Sequence, residues 1–551
     1  MTFDDILRSI GSFGRFQKRV IAFVSIPPLA QCAILLAQVF IAGKSDHWCH
    51  VGHWQDEDCH QWALTEEECI LFKRNISAPM IEGSRSRCSM YNVTGMDLES
   101  AFNLQDEFKL SDIINCNEGW EFDRSVFAST ISEEWGLVCG NSGITDVLQA
   151  IFFVGYLVGS MMFGSVADRI GRYYTFMGCC VTAGISSVLA ALAPNVYIFA
   201  ILRFLSAATS YGGTLMTFVI ASELVLPSSR VWTGVYLWFF FSSGYFFLSG
   251  VASITYNWRL LLGIISAPYL LMIPVFPLIS ESPRWLIARG KFKRAEKLIR
   301  KMAKTNKKEV PEDLKSMMEN ENKITASEAV SVLDLIRNPT IRCYMLNMIY
   351  SWFVQGFVFF GLSLGTSSLG VNVYLAFCLS GAVEMPAHVL AIITMNKFGR
   401  RASTSFWILL AGVACFATII APLGPWRVTV ATLGKLAISV SFDIVYVYAG
   451  EIIPTPRRAF GVGMCSAGSR VGGVVAPLLL YLGSIFESLP LILFASSSIL
   501  GGLLILLLPE TNKKPLPDTI EETLNLRSLK YKSVENEDKD VEEHAEHALS
   551  T

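Results

Sequence analysis

Twelve long apolar runs set the architecture of this chain. The first covers 20–42, and five more lie near 144–166, 173–193, 196–221, 232–253 and 260–279. After a polar interval come runs near 342–364, 372–394, 403–422, 427–449, 459–482 and 486–508. A helix needs roughly 20 apolar residues to cross the hydrocarbon layer of a bilayer. The run at 20–42 follows Arg15, Lys18 and Arg19, is too long for a signal-peptide core, and reads as the first span. The pattern predicts an all-α integral membrane protein of twelve transmembrane helices in two six-helix halves, 20–280 and 342–508. Polar segments frame them: 1–19 at the N-terminal end, a loop at 43–143, a central loop at 281–341 and a tail at 509–551.

The halves echo each other. The second run ends in Gly164-Ser165-Val166-Ala167-Asp168-Arg169-Ile170-Gly171-Arg172, and the eighth in Asn396-Lys397-Phe398-Gly399-Arg400-Arg401. The two Gly-Arg pairs lie 228 positions apart (399 − 171 and 400 − 172). Glu223 and Arg230 after the fourth run return as Glu451 and Arg458 after the tenth at that same offset. Glu281-Ser282-Pro283 after the sixth is matched, one position further on, by Glu510-Thr511-Asn512 after the twelfth. Two motifs in one register, with a third one position off it, imply a duplicated six-helix unit, an architecture that places a binding site between the halves near the midplane. Gly171 and Gly399 permit tight turns. The acids and arginines at these helix ends either form a network that biases opening of one face or only set topology by their charge.

Composition agrees: 52% of the 551 residues are hydrophobic and 17% charged, too few charges to wet a soluble surface of this size. The net charge of −2 and the lack of a basic stripe give no reason to expect nucleic acid. Six of the thirteen cysteines, Cys49, Cys59, Cys69, Cys88, Cys116 and Cys139, fall in the loop at 43–143, an even set that suggests disulfides in an oxidising compartment. Six cysteines allow fifteen pairings, and none is assigned. Zinc is the alternative, since His47, His50, His53 and His60 are near, but the ligand spacing is irregular and no metal is expected. Sequons at Asn75 and Asn92 mark the loop as extracellular and glycosylated. The basic string after the sixth run, with Arg169 and Arg172, puts the opposite face and both termini in the cytoplasm. The tail ends in an acidic, polar stretch that reads as disordered.

Ionisable residues inside spans are costly and point to function. Asp443 lies mid-span in the tenth run and either attracts a cationic amine or pairs with a buried cation such as Lys435. Glu384 precedes Pro386 in the eighth, as a ligand or as a structural acid beside a kink. Arg470, among small residues in the eleventh, either grips a carboxylate bidentately or neutralises Asp443 or Glu384. Arg203 and Lys435 read as structural or coupling charges. Phe239–Phe241 and Phe357, Phe359 and Phe360 are candidate cavity walls, since aromatic faces suit ammonium groups.

These motifs carry a resemblance. The loop from Gly164 to Arg172 resembles the signature of the major facilitator superfamily. Ile10-Gly11-Ser12-Phe13-Gly14-Arg15-Phe16-Gln17, Glu134-Trp135-Gly136-Leu137-Val138-Cys139, Glu281-Ser282-Pro283-Arg284-Trp285-Leu286 and Val383-Glu384-Met385-Pro386-Ala387 resemble its organic-ion branch, solute carrier family 22. The resemblance spans residues 1 to about 520. It implies the major facilitator fold and a carrier for organic cations, zwitterions or anions, with no chemistry on the substrate, no cofactor, and sodium or a proton as coupling ion in some members. Cation-type members are similar in their acid at Asp443 and, with carnitine-type members, at Glu384. Anion and carnitine-type members share the arginine at Arg470, where strict cation members carry an acid. Phe241 and Phe359 match positions that face substrate. Thr214 departs from the tryptophan of cation members, which implies a differently shaped cavity. The leading expectation is a plasma-membrane carrier of small organic cations or zwitterions. An organic-anion exchanger and a non-transporting receptor of the same fold are the alternatives. No nucleophile–base pair, metal motif or phosphate loop suggests an enzyme.

Overall fold

The structure is a computed structural model. It describes residues 3–526 apart from 44, 56–57, 60–61, 63, 82–83, 106–107, 109–111, 312, 320–336, 369–370, 455–457, 484–485, 487, 513, 515–516 and 518–519. Of the features singled out in the sequence, His60 and the acidic end of the tail lie outside the described residues.

Eleven helices among the described residues are long and apolar enough to cross a membrane, and a twelfth apolar helix, Leu489–Ile505, is shorter at 17 residues. In chain order the first eleven spans are Arg15–Ile41, Cys139–Ile170, Arg172–Ala191, Val196–Glu223, Trp232–Ile254, Trp258–Leu278, Pro339–Leu364, Val373–Phe398, Arg400–Ile420, Pro425–Ile452 and Phe460–Leu482. Several are interrupted where the sequence removes a backbone donor. The eighth divides into Val373–Ala382 and Glu384–Phe398. Pro386 has no N–H to offer the Ala382 carbonyl, so the first piece ends there. The first span breaks at Ser25, ahead of Pro27 and Pro28, and the sixth passes into a 3-10 turn, Ile273–Leu278, after Pro268.

The repeat is visible atom by atom. Gly171 and Gly399 have φ of 119° and 88°, a region open to glycine without steric cost. A Cβ at either would also strike a carboxylate, 2.2 Å from Glu281 Oε2 or 2.6 Å from Glu510 Oε2. Those carboxylates cap the following helices: Glu281 Oε1 accepts from Arg172 N at 2.8 Å, and Glu510 Oε1 from Arg400 N at 2.9 Å. Arg172 Nε lies 3.3 Å from Glu223 Oε1, and Arg400 Nε 3.2 Å from Glu451 Oε1. Each cluster ties helices of its own half. Asp168 joins the first through Arg172 at 3.0 Å. Arg169 is exposed, and Arg230 and Arg458 stand half-buried at the starts of the fifth and eleventh helices.

Two segments that read as loops are structured. Residues 43–143 form a small domain with its own core around Trp54, Cys59, Cys69, Met90 and Leu98. Its disulfides are Cys49–Cys116, Cys59–Cys69 and Cys88–Cys139. Sulfurs so paired are not metal ligands, which removes the zinc alternative for these cysteines. Antiparallel pairs, His47–Cys49 with Trp120–Phe122 and Ser89–Tyr91 with Ile113–Asn115, add short strands to an otherwise helical fold. Glu134 anchors the domain to the body by accepting from Trp258 Nε1 at 2.8 Å and from Arg259. The central segment holds helices Pro283–Ala288 and Phe292–Asn306. Trp285 Nε1 donates to the Asp168 carbonyl at 2.9 Å. Asn306 Oδ1 accepts from Phe16 N at 2.9 Å, tying this segment to the start of the first span.

Asn75 and Asn92 are both exposed on the disulfide-linked domain. N-glycosidase treatment of the protein expressed in animal cells is expected to increase its gel mobility. The Asn75→Gln, Asn92→Gln double variant should run at the treated position; identical mobility of all forms would place this domain on the wrong side of the membrane.

Candidate functional site

A cavity of about 400 Å³ lies between the halves at mid-span depth. The second, fourth and fifth helices supply Tyr156, Tyr211, Thr214, Trp238 and Phe241, and the seventh, eighth, tenth and eleventh supply Phe359, Phe360, Glu384, His388, Phe442, Asp443, Tyr446 and Arg470. Every substrate-facing residue expected from the sequence, Asp443, Glu384, Arg470, Phe241, Phe359 and Thr214, borders this one space. Phe239, Phe240 and Phe357 do not line it; Phe357 packs against Phe494 with ring centroids 4.7 Å apart.

The halves are pressed together on the side of the disulfide-linked domain. The ring of Phe153 tilts against Phe360 with centroids 4.6 Å apart, Phe40 meets Phe377 edge to face at 5.1 Å, and Tyr245 tilts against Phe377 at 4.9 Å. Close approach there requires small residues: a Cβ on Gly143 would fall 2.7 Å from the Tyr481 ring, and one on Gly381 2.4 Å from Tyr245 Cβ. Toward the other face the wall is Leu215, Phe218 and Gly234, and a Cβ on Gly234 would meet nothing within 4 Å. Beyond these contacts, on the domain side, a second cavity of about 810 Å³ is lined from both halves, by Gln38, Thr145 and Gln149 and by Leu362, Thr418 and Arg427.

The buried charges are sorted in a way the sequence did not give. Lys435 does not pair with Asp443. Its Nζ lies 3.0 Å from Glu384 Oε1, with both side chains 2% exposed. It also donates to Tyr245 Oη at 3.1 Å and to Ser363 Oγ, and sits 3.1 Å from the centroid of the Phe359 ring. A buried ion pair needs such extra hydrogen bonds to offset desolvation, and this one has them. Asp443 instead meets His388, with Nδ1 to Oδ2 at 2.6 Å. His388 Nε2 reaches Ser242 Oγ at 3.2 Å, and Ser242 Oγ reaches Glu384 Oε2 at 3.1 Å. One polar chain thus runs from Asp443 through His388, Ser242 and Glu384 to Lys435, and Ser242 and Tyr245 are contributed by the first half. Asp443 remains 21% exposed to the cavity.

Arg470 neutralises neither acid: among the described residues no carboxylate lies within 4.0 Å of it. Its guanidinium donates to Tyr211 Oη at 2.6 Å and to the Ser466 carbonyl at 2.9 Å, and lies 4.8 Å from the Tyr211 ring centroid. Its Nε is buried without a hydrogen-bond partner. Arg203 is a structural charge away from the cavity. It donates to the Ile34 carbonyl at 3.0 Å and stacks on Phe152 at 4.3 Å.

His388 was missed by sequence reasoning, although a signal existed: it is the one histidine inside an apolar run, four residues after Glu384 and so on the same helix face. Ser242 and Tyr245 carried none, because their roles depend on how the halves meet.

Comparison with known proteins places this arrangement. Residues 141–516 match the family model described as "Sugar (and other) transporter". Over nearly the full length the chain is similar to curated relatives. It is 36% identical to an organic cation transporter protein of Drosophila melanogaster, covering 95% of each. It is 34% identical to solute carrier family 22 member 3 of Rattus norvegicus, covering 96% of each, and 34% to a beta-alanine transporter of Drosophila melanogaster, covering 95% of this chain and 89% of the relative. The fold aligns with the partially occluded inward-open xylose transporter XylE from E. coli at TM-score 0.60 and 16% identity, over 91% of this chain and all of that one.

The Lys435–Glu384 pair sets a test. Lys435→Met leaves Glu384 buried without its cation and should cost roughly 3–5 kcal/mol. Glu384→Gln alone should cost a similar amount, while the double variant recovers most of the loss. Melting temperatures of the purified protein check this; additive losses in the double variant would show that the two residues act independently.

Proposed function

We propose, from the premise that this chain belongs to solute carrier family 22 within the major facilitator superfamily and is a membrane transporter, that its cargo is a small organic cation or zwitterion. The observation that carries this reading is one cavity lined by a carboxylate and a guanidinium that are not paired with each other. Asp443 faces the space with its charge partly exposed. An ammonium group beside it is attracted by the carboxylate and by the faces of Trp238, Phe442 and Tyr446. Arg470 borders the same space with no carboxylate partner among the described residues, and its guanidinium suits a substrate carboxylate. The cavity volume falls in the range of small-ligand sites. One relative is named for organic cations and another for β-alanine, which carries an ammonium and a carboxylate.

Transport follows by alternating access. The two halves rock about the cavity, and the domain side opens when the opposite side closes. The basic segment after the sixth helix supports an orientation with that opposite side and both termini in the cytoplasm, and the disulfides of the outer domain fit an extracellular face at the plasma membrane. The clusters around Gly171 and Gly399 hold the helix ends of each half as rigid bodies during the motion. Asp168→Asn loosens one of them, so the maximal rate should fall more than the apparent affinity; an unchanged maximal rate at equal surface density would remove this role.

Arg470 gives the sharper test. Reversing one charge at about 4 Å changes the interaction by roughly 8 kcal/mol at an effective dielectric near 20, before relaxation. About 1.4 kcal/mol is already tenfold. Arg470→Asp should therefore depress zwitterion uptake by at least about tenfold while sparing or raising that of a simple cation. Asp443→Asn should depress both. Surface density and uptake of one cation, one zwitterion and one anion decide the matter: equal loss for all three in Arg470→Asp at normal surface density would leave Arg470 no part in selectivity.

A further inference from the structure

We infer that His388 carries an exchangeable proton, and that the imidazolium and the substrate's ammonium are alternative counter-ions of Asp443. The inference rests on the cation or zwitterion reading above. It comes from counting donors. Glu384, ion-paired to Lys435 through Oε1, accepts the single hydroxyl proton of Ser242 at Oε2. Ser242 Oγ then has only lone pairs to offer His388 Nε2 at 3.2 Å. The Asp443 carboxylate likewise only accepts, from His388 Nδ1 at 2.6 Å. Both ring nitrogens are therefore donors, and an imidazole that donates twice is the charged form.

The charged and titratable surroundings support a cation at this position. Glu384 faces His388 from its own helix through Ser242. The tenth helix presents Asp443 and, beyond Glu384, Lys435, whose charge is engaged by Glu384. Trp238 and Phe239 of the fifth helix lie 6.3 and 5.8 Å from the ring, and Arg470 and Tyr446 border the same cavity. Two carboxylates thus share Lys435 and His388 as partners. An organic cation arriving at Asp443 duplicates the charge of His388. The imidazolium then releases its Nδ1 proton to water in the cavity, the ammonium takes its place beside the carboxylate, and the charge of the site is unchanged. On release of the cargo a proton returns from water to Nδ1. Through alternating access this is one-for-one exchange of proton against organic cation, with no other co-reactant.

The probe is tetraethylammonium, whose own charge does not change with pH. In proteoliposomes of the full chain its apparent KM should rise as external pH falls, approaching about tenfold per pH unit on the acid side, the limit for one competing proton. The maximal rate should change much less. Inward movement of the probe should make the lumen more alkaline. His388→Gln and His388→Asn each keep one hydrogen-bonding nitrogen but cannot hold the charge, and both should flatten the pH slope of KM whatever their maximal rate. His388→Lys, a fixed cation, should raise KM at every pH. Probe-induced melting shifts of the purified variants report the same slope without requiring turnover. Saturable uptake with a pH-independent KM in the wild type, or an undiminished slope in the neutral variants, overturns the proton's role and leaves the cargo assignment standing. No uptake of this probe or of any other cation or zwitterion overturns both.

Discussion

A charge within the apolar layer cannot be left to solvent, and this constraint arranges the molecule. Glu384 and Lys435, on the eighth and tenth helices, are nearly inaccessible and stand 3.0 Å apart. In a low dielectric each alone is costly by several kcal/mol. Their pairing therefore fixes those two helices relative to each other, and the remaining donors of Lys435 reach the seventh helix at Ser363 and the fifth at Tyr245. Three elements of the second half and one of the first meet at a single ammonium group. The aromatic walls pack around this point, and the cavity is the space left beside it.

The same constraint governs the helix ends. The first N–H groups of a helix lack partners within it. Glu281 and Glu510 supply them from segments distant in sequence, which lets a helix start directly after a one-glycine turn. A carboxylate at a helix N-terminus is also favoured by the local dipole. Duplication of the unit preserved this solution in detail. The Arg172 guanidinium reaches back to the Ala167 carbonyl, and that of Arg400 to Met395.

Much of this was legible in the sequence, for a physical reason. Spanning helices and helix-end motifs obey local rules, length, apolarity and a fixed repeat offset, so both halves and the residues around Gly171 and Gly399 could be read directly. Asp443, Glu384 and Arg470 stood out because a charge in an apolar run is conspicuous wherever it lies. Their partners did not follow. Lys435 is eight residues from Asp443 on one helix, yet it binds Glu384 on another, because the eighth helix is broken before Pro386 and brings Glu384 alongside. The folded nature of 43–143 was hidden for a related reason. Its core rests on three disulfides whose connectivity depends on long-range pairing, such as Cys49 with Cys116. The central helix Phe292–Asn306 was hidden by its basic outer face, which reads as a charged loop until its buried stripe of Ala295, Leu298, Ile299, Met302 and Ala303 is seen.

The distribution of polar contacts also says what rocking of the halves must break. The ion pairs at the repeated motifs, Arg172 with Glu223 and Arg400 with Glu451, each lie within one half, so a rigid-body movement of the halves does not of itself separate them. The polar contacts that cross between the halves include hydroxyls against charges, Ser242 to Glu384, Tyr245 to Lys435 and Tyr211 to Arg470, beside the neutral contacts of Tyr245 with Ser363 and of Ser249 with the Tyr374 carbonyl. Bonds of the charged kind are worth about 1.5–3 kcal/mol each, less than stripping a buried ion of its counter-charge. In the reading proposed above, a cargo carboxylate entering the cavity meets Arg470 where Tyr211 of the other half binds it, and a cargo ammonium meets Asp443 beside His388. The cargo can take the place of the Tyr211 hydroxyl at Arg470 while the buried Lys435–Glu384 pair stays as it is.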